Sequence, residues 1–196
     1  MATATALLTD RSRRHTVDEW LALEVPETLE FWRVELLEGR WLVSTSPGLE
    51  HQWAGDQLQT ALTGAITVAG RENLVAVTGM GVELNPHNGL RPDVMICPRR
   101  LAGRVVSRSE LRLAVEIWSP SNRRAERRAK RSVNEAAGVP FWWEIRQDRG
   151  GPARLEAFRL VDGGYLLDQV VVPGDGPVPV SASPVPVTLD LAALRL

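Results

Sequence analysis

Apolar residues fall at every second position in LRLAVEIW (111–118), and Ser119-Pro120-Ser121 stops the run, so this stretch is a predicted strand. From Asn122 to Ala137 there is no Gly or Pro, and Ala and Arg dominate, which predicts a helix. Gly138 stands where a left-handed C-cap belongs, and Val139-Pro140 prevents continuation. PFWWEI (140–145) then reads as an aromatic strand. This strand–turn–helix–strand unit is the stretch around which the rest of the chain is arranged.

Upstream, Thr16-Val17-Asp18-Glu19 is a capping box opening a short helix that ends before Pro26. WRVELLEGRWLVSTS reads as a hairpin turning at Glu38-Gly39, with Glu35 in mid-strand, where a carboxylate ordinarily faces solvent. A helix is predicted from about Leu49 to Val68, with Trp53, Leu58, Leu62 and Ile66 on its apolar stripe. His51 and Gln52 fall in its first turn, where a histidine ordinarily caps or packs. Leu74–Thr78 and Val82–Leu84 read as strands joined at Gly79-Met80-Gly81, and Pro86 to Gly89 as a turn. Arg91 to Pro98 is a short buried strand with Asp93 near its start, and Arg99 to Glu110 a basic connector. Short strands broken by Gly and Pro follow Ile145 as a meander, and LAALRL closes with a helical turn.

The pattern describes one domain over residues 15–196 behind a flexible tail of 1–14. Apolar and charged fractions of 44% and 24% are those of an ordinary soluble protein. The single cysteine, Cys97, excludes an internal disulfide framework and a multi-cysteine zinc site, which makes the cytoplasm the expected compartment. No apolar run approaches a membrane span, and the N-terminal residues are not apolar enough for a secretory signal.

Charge changes the picture more. The net charge is −1, yet Arg91 to Arg131 holds twelve cations against Asp93, Glu110, Glu116 and Glu126. A block of +8 on a remainder of −9 suits a groove that tracks phosphates beside acidic metal ligands, or else a solvated arginine-rich helix face. Arg91, Arg123, Arg124 and Arg127 in this block, with His51, are the candidate nucleic-acid contacts. Lys130 is the only lysine among the 23 Lys and Arg residues. In a chain that otherwise uses arginine, a compact ammonium marks either a chemical role or a surface pair with Glu126 one turn back.

Asp93 and Glu116 on strands, Lys130 on the helix and the earlier Glu35 are a set suited to metal-dependent phosphodiester cleavage. Carboxylates hold a hard cation such as Mg²⁺, with Mn²⁺ as substitute, and a lysine beside the attacking water positions it or stabilises developing charge. Arg91 is a candidate partner for Asp93. No organic cofactor is expected.

From about Thr16 onward the chain resembles the restriction-endonuclease-like family called Uma-two, a branch of the PD-(D/E)XK nuclease-like superfamily. Val34-Glu35-Leu36-Leu37-Glu38-Gly39 resembles its Y-E-L-I-D-G-E stretch, and Ser46-Pro47 with His51-Gln52 its S-P and H-Q. Arg91-Pro92-Asp93 resembles its R-P-D strand, and Glu116-Ile117-Trp118-Ser119-Pro120-Ser121 its E-V-L-S-P-S. Lys130 precedes Ala137-Gly138-Val139-Pro140-Phe141-Trp142-Trp143 as in its K…A-G-V-P-x-Y-W segment. Asn134 and Arg40 depart from its tyrosine and its second hairpin acid. The resemblance implies an α/β fold: a mixed central sheet flanked by helices, with a C-terminal antiparallel extension. It further implies Asp93 and Glu116 as metal ligands, Glu35 as an auxiliary acid, and Lys130 in place of the lysine that the E-x-K pattern would put at Trp118. DNA as substrate and a homodimer are expected with it. Two other readings stay open: a nuclease fold that binds nucleic acid or a partner without cutting, and a structural dimer whose carboxylates pair with arginines.

Overall fold

The structure, a computed structural model, describes residues 12–23, 32–99, 103 and 105–196. Most of the N-terminal tail, the stretch around Pro26 and part of the basic connector lie outside the described residues. Helix α1 (Val17–Leu21) opens on the predicted capping box, with Thr16 and Glu19 bonded reciprocally. Arg13, assigned to the tail, pairs with Glu19, and the His15 amide donates to the Gly39 carbonyl.

Strands β1 (Trp32–Leu37) and β2 (Arg40–Thr45) form the predicted hairpin. Glu38 and Gly39 have φ of 54° and 75°, the paired left-handed conformations that a two-residue turn with right-handed strand twist requires. Helix α2 runs Leu49–Val68. Strands β3 (Leu74–Thr78), β4 (Gly81–Asn85), β5 (Asn88–Leu90), β6 (Val94–Pro98), β7 (Val105–Ser107) and β8 (Leu113–Trp118) follow. The predicted crossover helix is α3 (Arg124–Ala136), two residues shorter at its start than expected. Gly138 follows with φ of 78°, as the left-handed cap requires. Strands β9 (Phe141–Asp148), β10 (Gly151–Val161), β11 (Gly164–Val171), β12 (Pro177–Val180) and β13 (Val187–Asp190) complete the described elements, with short 3-10 turns at Pro173–Asp175 and Leu191–Leu194.

These strands make a mixed α/β fold with two large sheets rather than one. A six-stranded sheet runs β11-β10-β9-β8-β6-β3, antiparallel except for the β8–β9 pair that α3 connects. A five-stranded sheet runs β2-β1-β5-β4-β7, with β4 and β7 parallel. Strands β12 and β13 form a separate antiparallel ladder, the predicted C-terminal extension. The Gly79–Gly81 link therefore does not join neighbours: the chain leaves the six-stranded sheet there and enters the five-stranded one.

Every residue of β8 is buried because the sheet is covered on both faces. Leu113, Val115 and Ile117 pack with Leu58, Leu62 and Ile66 of α2 and with Val187, Leu189 and Leu191 of the C-terminal segment. Ala114 and Trp118 face the other way, into a core shared with Val82, Leu90 and Val106 of the five-stranded sheet and Val133 of α3. Trp53 is a correction to the predicted stripe: it is 37% exposed, with its indole donating to the Arg195 carbonyl, while Ala54 and Gly55 occupy the buried line. Among the described residues no helix is long and apolar enough to cross a membrane.

Candidate active site

The alternation of β8 puts Glu116 on the same face as Ala114 and Trp118, toward the space between the two sheets. Asp93 lies just before β6, which pairs with β8, and the two are locked at the backbone: the Asp93 amide donates to the Val115 carbonyl, and the Ile117 amide donates to Asp93 Oδ2 at 2.7 Å. From the opposite sheet, β1 buries Val34 and Leu36 on its α1 face, so Glu35 points inward. Glu35 is 2% exposed, a correction to the solvent-facing position expected of a strand carboxylate. Above all three, α3 buries Lys130, Val133 and Asn134 along one stripe.

Lys130 closes the arrangement. Its Nζ stands 2.8 and 3.0 Å from the two Glu35 oxygens and 3.1 and 3.2 Å from those of Glu116. An ammonium has three hydrogens, so four carboxylate oxygens at this range share them. The Trp118 ring adds a cation–π contact, its centroid 5.7 Å from Nζ. The surface pair with Glu126 does not form; Glu126 instead takes a hydrogen bond from Asn122. Burial alone would lower the Lys130 pKa, but the Glu116 and Glu35 charges outweigh it and raise it above the ordinary value.

Asp93 is satisfied by Arg33, which the sequence does not single out, and by His51, expected as a nucleic-acid contact. Arg33 of β1 donates to its Oδ1 at 2.6 Å, and His51 Nε2 from the first turn of α2 stands 3.3 Å from the same oxygen. Arg33 also lies 3.6 Å from Glu35 Oε1. Arg91, a candidate partner by sequence, is exposed; its amide donates to Glu35 Oε1 at 2.7 Å while its guanidinium lies over the Trp20 ring. Burial works against ionisation of Asp93, yet the Arg33 and His51 contacts and the Ile117 amide hold its carboxyl well below the usual range. Glu35 is lowered against its burial by Lys130 and Arg33. Glu116 goes the other way: burial first, then the Asp93 and Glu35 charges, push its carboxyl up to about 8 despite Lys130. The centre is one positive charge short.

These side chains border a cleft of about 310 Å³ that also touches Ser44, Ser46, Ser119, Ser121 and Asn122. A second hollow of about 290 Å³ adjoins it across Arg33, Ser46, Pro47, His51 and Asp93, and extends past Trp32 and Arg91. The structure thus brings Glu35, Asp93, Glu116, Lys130 and His51 together, with Arg91 at the far end. Arg123 precedes the first residue of α3 as its N-cap. Arg124 and Arg127 do not border either hollow; they line a separate one.

The acids continue across the sheet. Glu144 of β9 is in register with Glu116, and Glu156 of β10 is in register with Glu144. Arg131 covers Glu144, and Arg146 and Arg154 cover Glu156. Neither acid was legible as part of a row, because registry between strands is not written in either strand alone.

A hard divalent cation has a chemical fit here: the donors are carboxylates, and Glu35, Asp93 and Glu116 outnumber the Lys130 and Arg33 cations that face them. Against it, the Glu116 oxygens already face Lys130 and those of Asp93 face Arg33 and Ile117. Among the described residues no group of three or more His, Cys, Asp or Glu side chains converges as a metal cage.

Comparison with solved structures finds this fold in the crystal structure of a putative nuclease belonging to DUF820 from Anabaena variabilis ATCC 29413. The TM-score is 0.68 at 17% identity, over 91% of this chain and 96% of that one. No curated protein matches the chain. Residues 17–192 match the Uma2 (Uma-two) family, described as "Putative restriction endonuclease", and that span takes in β1, β6, β8 and α3 with every carboxylate and the lysine of the cleft. The chain belongs to that family.

Proposed function

We propose that this chain is a metal-dependent endonuclease that hydrolyses DNA phosphodiester bonds in the cleft between its two sheets. The observation that carries the reading is the burial of the only lysine between two glutamates, beside a third carboxylate, at the floor of an open polar cleft. Burying four charges in one place is a poor way to gain stability, so function is the better account of it. The family description and the fold of the DUF820 structure support the same reading.

In this proposal Asp93 and Glu116 would hold a Mg²⁺ ion, or Mn²⁺ in its place. Such an ion supplies a more acidic water and neutralises charge on the phosphate. The chain's own residues do the remaining work. Glu35, bonded to Lys130 through both oxygens and braced by the Arg91 amide, fixes the ammonium in position. Lys130, kept charged by its two partners, orients the attacking water or stabilises charge developing on phosphate. Arg33 and His51, at the junction of the two hollows, hold Asp93 in its ionised form, and the Arg33 guanidinium presents positive charge to the substrate backbone.

The test is plasmid nicking with Mg²⁺ or Mn²⁺. Lys130→Ala and Asp93→Ala are each expected to lower the rate by about 10²-fold or more. A second reading, binding without cutting, draws on one observation: the carboxylate oxygens are already engaged by cations and a backbone amide. It wins if folded wild-type protein binds DNA and leaves the plasmid intact with either metal.

A further inference from the structure

Helix α3 has a second charged stripe that the cleft does not use. Arg124, Arg127, Arg128 and Arg131 recur at spacings of three and four, so they stack along one flank of the helix. With Arg146 of β9 they line a hollow of about 280 Å³ whose only acidic wall is Glu144. This hollow shares no lining residue with the carboxylate cleft.

Its arginines fall into two kinds. Arg131 and Arg146 are anchored: Arg131 donates to buried Glu144 at 2.7 Å and lies 4.3 Å from the Phe158 ring centroid, and Arg146 donates to Glu156 at 2.9 Å. Arg124, Arg127 and Arg128 make no ion pair with any described residue. Like charges at these spacings repel and weaken the helix, and among the described residues only Arg131 of the four has an acidic partner to offset its charge. A local rule broken this way marks a surface with a use.

We propose that this hollow is a second phosphate site, which holds the backbone of a nucleic-acid strand along the flank of α3. Arginine presents forked donors suited to phosphate oxygens, and the anchored pair sets a rigid floor beneath three uncommitted cations. The inference rests on the nuclease reading for the identity of the anion, but it does not require cutting.

The experiment measures binding of a short fluorescein-labelled DNA duplex by anisotropy, in EDTA, between about 0.05 and 0.2 M salt. The slope of log affinity against log salt falls by about one unit for each phosphate that the protein no longer neutralises. The triple variant Arg124→Gln, Arg127→Gln, Arg128→Gln is expected to flatten the slope by about two to three units while melting no lower than wild type. A control triple, Arg71→Gln, Arg108→Gln, Arg149→Gln, makes the same charge change at exposed positions elsewhere and is expected to shift the slope by less than about one unit. The proposal is overturned if the α3 triple keeps the wild-type slope to within about one unit, if the control flattens it equally, or if wild type does not bind the duplex. Plasmid nicking separates the two ideas: a nicking enzyme whose α3 triple binds normally loses the second site alone. A flattened slope in a protein that never nicks keeps the site and removes the cutting.

Discussion

At the scale of single residues the molecule turns on how buried charges are compensated. Lys130 donates to two glutamates that are each 2% exposed, so deleting it takes the ammonium from both. Lys130→Met is expected to lower the unfolding free energy by about 3–5 kcal/mol, read from urea melts by tryptophan fluorescence. Adding Glu35→Gln to that variant removes one stranded charge and is expected to recover part of the loss. A Lys130→Met protein as stable as wild type would mean that the trio is not buried as described. Residue type and spacing make Asp93, Glu116 and Lys130 legible in the sequence. Arg33 is not, because it meets Asp93 from sixty positions away. A signal existed: Arg33 and Glu35 alternate on one strand, so whichever way Glu35 points, Arg33 points too. Glu35 entered the candidate set by resemblance, and the face it shares with Arg33 went unused.

At the scale of elements, the β8–α3–β9 unit was legible because each boundary has a local chemical cause. Gly138 shows this most directly. Its φ is 78°, and a methyl group built there meets nothing within 4 Å, so any penalty of substitution comes from the backbone alone. Gly138→Ala is expected to destabilise by about 1–2 kcal/mol in a thermal melt, with Lys130 chemistry unchanged. An unshifted melting point would mean that α3 ends differently. What stayed hidden was partnership. β3 and β4 are both five-residue strands around a glycine-rich link, which reads as a hairpin, yet they pair in different sheets. Strand periodicity states which residues face inward, not which strand lies alongside. Strand β7, three residues inside the basic connector, is too short to announce itself and owes its pairing to β4.

At the scale of the molecule, two sheets from different parts of the chain face each other, and the carboxylates come from both. Neither sheet holds the site alone. The homodimer expected from the resemblance has a candidate surface at the free edge of the larger sheet, where β11 exposes Leu166 at 58% and Leu167 at 45%. Light scattering on wild type and on Leu166→Glu is the check: a dimer that the glutamate splits supports this edge, and a dimer that persists moves the interface elsewhere. The other face of that sheet has a temporal consequence. Glu35, Asp93, Glu116 and Lys130 are all translated before residues 178–194, whose Val180, Val187, Leu189, Leu191 and Leu194 roof the same core as α2, with the Trp143 indole pinned to the Ala182 carbonyl at 2.6 Å. During synthesis the nascent chain therefore carries all four of these residues while the larger sheet still lacks part of its roof, a state exposed to aggregation until the later segment emerges. A chain stopped after Val171 is expected to bind a hydrophobic dye and sediment, whereas co-expression with the missing segment in trans is expected to return it to solution.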